Sequence, residues 1–138
     1  MEVDCRPTQG FRRGQKVNER TMLLRQVHPM FLQNGRVTSQ AFRPTPKDRD
    51  QLSVYDGDQI APKAAYLHYT SDQKLESAGV MGITVGECDS LELQVKPDPA
   101  PFPEHVVIDF YGYSGNQKTK LGKKLAAKAK DRGWLYQP

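Results

Sequence analysis

The sharpest chemical signal in the sequence is an arginine inside an apolar run: Arg25 within residues 22–27, MLLRQV. A guanidinium drawn out of water needs an anion or several acceptors. The chain can supply one itself through Asp56, Asp58 or Asp109, or a ligand phosphate or carboxylate can supply it. His28 and His105 stand near prolines at the ends of extended runs, where connecting segments carry function. With Arg36, Ser39, Arg43, Ser53 and Tyr55 they form a polar set. Arginine and histidine hold phosphate or carboxylate; serine and tyrosine orient a sugar hydroxyl or stack on a base. The expected ligand-binding residues are therefore Arg25, His28, Arg36, Ser39, Tyr55 and His105. His28 and His105 are also candidates for a catalytic role.

Other chemistry finds less support. The chain contains no GxGxxG, P-loop, HExxH, GxSxG or EF-hand pattern. Its three histidines do not pair at helical spacing, and none lies near Cys5 or Cys88, so no metal site is expected. Two cysteines make neither a disulfide framework nor a CxxC zinc site. Cys88 falls just inside a short capped helix, which leaves two readings: a thiol activated by the helix end, or a small packed residue. No cofactor is indicated.

Charge is unevenly spread. Residues 114–138 hold seven basic groups against one acid, and residues 1–20 hold five against three, while the middle is acidic. The basic end reads as a helix over 115–132, capped by Ser114 or Asn116 and closed by Gly133. Leu121, Gly122, Leu125, Ala126 and Ala129 share one face. Lys120, Lys123, Lys124 and Lys130 share the other. That lysine face is either a nucleic-acid contact or a solvated surface.

The elements that must position these side chains are mostly strands. Strands are expected over 22–27, 52–55, 78–83, 91–95 and 105–110, with residues 36–42 extended. Asn34-Gly35 and Asp56-Gly57 mark turns. Pro62 opens a helix to about residue 70, and Thr84-Val85-Gly86-Glu87 has capping-box form. Residues 97–103 carry four prolines and form a stiff connector. The order predicts a single α+β domain over 22–138, with a mixed or mostly antiparallel sheet, one central helix and the basic C-terminal helix. Residues 1–21 read as a flexible tail. No apolar run is long enough for a membrane span, and no signal-peptide stretch opens the chain, so a cytoplasmic protein is expected.

Two stretches, LLRQVHP…NGRVTSQAFRPTP…LSVY over 23–55 and PFPEHVVIDF over 101–110, resemble a family of small, uncharacterised prokaryotic proteins. Their order is similar in outline to small ADP-ribosyltransferase-like domains. That resemblance implies a nicotinamide dinucleotide bound in a cleft between two sheet halves. It implies that Arg25 grips phosphate, Ser39 sits on the second strand and Tyr55 stacks, with Glu104 as the positional candidate for a late catalytic glutamate. The leading expectation is a small intracellular domain binding a nucleotide or phosphorylated ligand. The alternatives are a nucleic-acid-binding module using the lysine helix, and a protein-interaction module of a small operon or toxin–antitoxin pair. The last predicts an apolar patch around Phe102, Trp134 and Tyr136.

Overall fold

The structure is a computed structural model, and it describes residues 18–44 and 49–138. Its centre is a five-stranded sheet in the order β5-β1-β4-β7-β6. The strands are β1 (Met22–Gln26), β4 (Gln51–Asp56), β5 (Val80–Thr84), β6 (Gln94–Pro97) and β7 (His105–Asp109). Every pairing in it is antiparallel. A two-stranded hairpin, β2 (Leu32–Gln33) with β3 (Arg36–Val37), stands apart. Its turn is Asn34-Gly35, both at positive φ (51° and 77°), the backbone that a two-residue hairpin requires. The chain is thus a single α+β fold, as its element order implies.

The adjacent leucines of β1 explain how the layers form. Leu23 faces a large cluster with Val27, Phe42, Leu52, Ile83, Ile108, Phe110 and Leu125. Leu24 faces a smaller one with Tyr55, Ala65 and Val80. Both faces of β1 are covered, so its apolar run is nearly continuous rather than alternating. Helix α3 (Gly115–Arg132) and the 3-10 turn Ser39–Phe42 pack on the first face. Helix α1 (Pro62–Leu67) and the π turn His68–Asp72 that follows it belong to the second. Short helix α2 (Val85–Ser90) joins β5 to the β6 edge.

Capping chemistry sets the helix starts. Ser114 Oγ accepts from Gln117 N while Gln117 Oε1 accepts from Ser114 N. Thr84 and Glu87 close the same reciprocal pair on α2. Gly57 is required by close approach: a Cβ there would lie 2.4 Å from the Met22 carbonyl oxygen.

Several expectations need correction. Residues 39–42 are not extended but wind into a 3-10 turn, which buries Ala41 and Phe42 beneath α3. β6 starts at Gln94 rather than at 91, because Leu91 and Glu92 form a turn with Glu92 at φ 62°. The expected flexible tail, 1–21, lies outside the described residues as far as 17. Residues 18–21 are docked: buried Thr21 donates from Oγ1 to Asp58 Oδ2 at 2.7 Å, and its carbonyl accepts from Val85 N. Among the described residues, no helix is long and apolar enough to cross a membrane.

Candidate functional site

The β1–β4 ladder is short. It pairs only Leu23 with Asp56 and Leu24 with Tyr55, although β1 continues to Gln26 and β4 begins at Gln51. Beyond that point Arg25 and Gln26 pair with β5 alone, and Ser53 and Val54 pair with β7 alone. The sheet therefore forks. Arg25 spans the fork from half-buried cover: Nη1 donates to the Ser53 carbonyl at 3.0 Å, and Nε donates to the Ala41 carbonyl at 2.7 Å. The three acids named above make contacts of their own. Asp56 accepts from Asp58 N and Gln59 Nε2, Asp58 accepts from Thr21, and Asp109 pairs with Lys96 at 2.8 Å.

A cavity of about 530 Å³ opens at this fork. Four segments wall it: the end of β1 with the 3-10 turn Pro29–Phe31, strand β4, the π turn, and the proline-rich connector into β7. Of the residues expected to bind ligand, it gathers Arg25, His28, Tyr55 and His105, and Ser53 with them. It does not gather Arg36, which is exposed on β3, nor Ser39, which opens the 3-10 turn rather than sitting on a second strand. Glu104 is half-buried and outside the cavity wall.

His105 is buried and fully engaged. Its Nδ1 lies 2.9 Å from the Asp98 carbonyl and 3.3 Å from Asp98 Oδ2; its Nε2 lies 3.1 Å from Ser53 Oγ. The ring of Phe102 meets it edge to face at 5.1 Å. Tyr55 and His68 form a second pair, with the phenol oxygen 2.8 Å from His68 Nδ1. Burial pushes the Tyr55 phenol above its usual range, and Tyr69, Glu104 and Asp72 add to the effect. His28 Nδ1 accepts from Met30 N at 2.9 Å, which leaves Nε2 to carry the proton, 3.5 Å from Glu76.

One wall residue stands out because its hydrogen bonds are missing. Gln26 is 5% exposed, and neither Oε1 nor Nε2 has a partner. Among the described residues the other buried side-chain atom in this state is Thr38 Oγ1, which is outside the cavity. A buried amide left unbonded costs about 1–3 kcal/mol. Gln26 carries no signal in the sequence because a glutamine beside a charged residue at the end of an apolar run says nothing of its partners. Asp98 and His68 were missed because only folding brings them to His105 and Tyr55.

The other expected sites separate clearly. A second hollow of about 630 Å³ adjoins the α3 start, but its cations serve the fold: Arg43 donates to Thr119 Oγ1 at 2.7 Å and Lys118 bonds Asp50. Cys88 is fully buried, and burial pushes its thiol up to about 12, with Asp89 and Glu87 adding to the effect. The activated-thiol reading therefore fails and the packing reading stands. Lys120, Lys123, Lys124 and Lys130 are all exposed on α3. Phe102, Trp134 and Tyr136 are half-buried against the two cores rather than forming an open patch. No group of metal-ligating side chains occurs among the described residues.

No family model matches the chain, and neither a curated protein nor a solved structure matches it.

Proposed function

We propose that the fork cavity binds a small nucleotide or phosphorylated ligand. The observation that carries this is Gln26: a buried amide with both atoms unbonded, in the same wall as Arg25, His28, Tyr55 and His105. A ligand that displaced the cover over this amide and offered a donor and an acceptor would satisfy it. Arg25 brings positive charge to the same wall. Tyr69 and Phe102, half-buried in the wall, offer ring faces for a base or other planar group, while Tyr55 is buried beneath Phe102 and His68 and offers none.

The test is a thermal-shift panel of nucleotides, dinucleotides and short DNA or RNA at two salt concentrations. A cavity ligand at a hundred times its Kd stabilises the native state by ~2.7 kcal/mol. The reading expects a shift that survives salt and is lost in Gln26→Leu. It fails if no nucleotide or phosphorylated compound shifts the melt, or if Gln26→Leu shifts as the wild type does.

One observation favours a second reading. The four lysines of α3 are exposed rather than folded against the acidic body, which leaves them available to a phosphate backbone. Binding of DNA or RNA that falls steeply with salt, and persists in Gln26→Leu, would select this reading over the first.

A further inference from the structure

We propose that Ser53 is a nucleophile, activated by His105 and positioned through Asp98, and that the cavity hydrolyses a small carboxylic ester. The inference rests on the fork cavity admitting a small ligand and requires that ligand to carry an ester carbonyl within reach of Ser53 Oγ.

Both groups facing His105 Nδ1, the Asp98 carbonyl at 2.9 Å and the Asp98 carboxylate at 3.3 Å, can only accept. Nδ1 therefore carries the hydrogen. In the neutral ring Nε2 then presents a lone pair, and the Ser53 hydroxyl, 3.1 Å away, must be the donor. Nucleophile, base and orienting group thus stand in line with the tautomer that general-base catalysis needs. Phe102 holds the ring from the side, and the strand pairing of Tyr55 with His105 fixes the two backbones. Ser53 itself is exposed in the cavity wall, so a substrate reaches it.

Past Leu24–Tyr55 strands β1 and β4 part, and Gln26 and Ser53 both line the cavity that opens between them.

The step balances with water as the only co-reactant. His105 Nε2 takes the Ser53 proton as Oγ bonds to the ester carbonyl carbon. The tetrahedral oxyanion collapses, the ester C–O bond breaks, and the alcohol leaves with the proton from Nε2. Water then gives a proton to Nε2 and attacks the acyl carbon. Collapse releases the carboxylic acid and returns the proton to Ser53. Ser53 and His105 touch the reacting atoms and are catalytic residues; Asp98 is a positioning residue.

The test is labelling of the full chain with a fluorophosphonate, which bonds phosphorus to an activated serine oxygen and expels fluoride. Peptide mapping should find the adduct at Ser53 in native protein and not in urea. Ser53 is exposed, so Ser53→Ala folds as a control and loses the adduct. His105→Ala should label ~100-fold more slowly, the usual range for loss of a general base, with partial rescue by added imidazole. Asp98→Ala should lower kcat for p-nitrophenyl acetate while leaving KM near the wild-type value. No adduct at Ser53, or equal labelling of native and unfolded protein, overturns the proposal. A nucleotide-induced thermal shift without labelling would leave the binding reading standing and this one refuted. Labelling without any such shift would do the reverse.

Discussion

Arg132 and Arg25 both hydrogen-bond a carbonyl of the central sheet, and their surroundings differ in one respect. Around Arg132 every polar group is spent on the fold. Its Nη1 donates to the Gly82 carbonyl at 2.8 Å, and its fork grips both oxygens of Glu87. Glu87 in turn accepts from Thr84 N and closes the α2 capping box. Beside Arg25 the accounts stay open: Gln26 is buried without a partner, and the Ser53 hydroxyl is exposed in a cavity and committed to a histidine. Closed polar networks hold architecture together. A polar surplus in a cavity wall costs stability.

The largest expected effect is on the closed side. Arg132→Met removes a two-pronged carboxylate contact and a strand carbonyl's donor, and should cost about 2 kcal/mol in urea unfolding. An unchanged midpoint would show that the network is decorative. Lowering the pH should shrink that cost. Burial alone would raise the Glu87 carboxyl, but the bonds from Arg132 and Thr84 and the charges of Arg132 and Lys128 outweigh it and lower it. A group depressed in the folded state stabilises above its unfolded pKa, and that contribution is lost as pH falls through its folded pKa. The gap between wild type and Arg132→Met should therefore be smaller at pH 3 than at pH 7; an equal gap would remove Glu87 from the account.

On the open side the sign reverses. Gln26→Leu, which replaces an unbonded amide with an apolar group of similar size, should gain about 1 kcal/mol. The smallest effect belongs to the α3 lysines. Changing Lys120, Lys123, Lys124 and Lys130 to Gln should each alter stability by less than about 0.5 kcal/mol, because exposed side chains without structural contacts rarely do more. A larger loss would mean that the face is docked rather than open.

How much of this was legible follows from range. Local signals were read correctly: the Thr84–Glu87 box, the Asn34-Gly35 turn and Pro62 at the first helical turn depend on residues a few positions apart, and of the two caps offered for α3 the structure takes Ser114 over Asn116. The run 39–42 was misread because the packing of α3 on Phe42 decides its winding, not its own propensity. Part of the cavity lining was visible in the sequence. Arg25, His28, Tyr55 and His105 were singled out by type and setting, and the fold brings them to one cavity. Arg36 and Ser39 were included on the same grounds, and the hairpin and the 3-10 turn carry them away. Ser53–His105 spans 52 positions, and nothing local announces such a pair. Gln26 became informative only when its missing partners could be seen.

The central claim is that the cavity wall keeps polar groups the fold does not need. The urea midpoint of Gln26→Leu tests it most directly. The account predicts a higher midpoint with an unchanged m-value, together with loss of any ligand-induced shift. A midpoint that falls as far as that of Arg132→Met would contradict it, and would make Gln26 one more member of the scaffold.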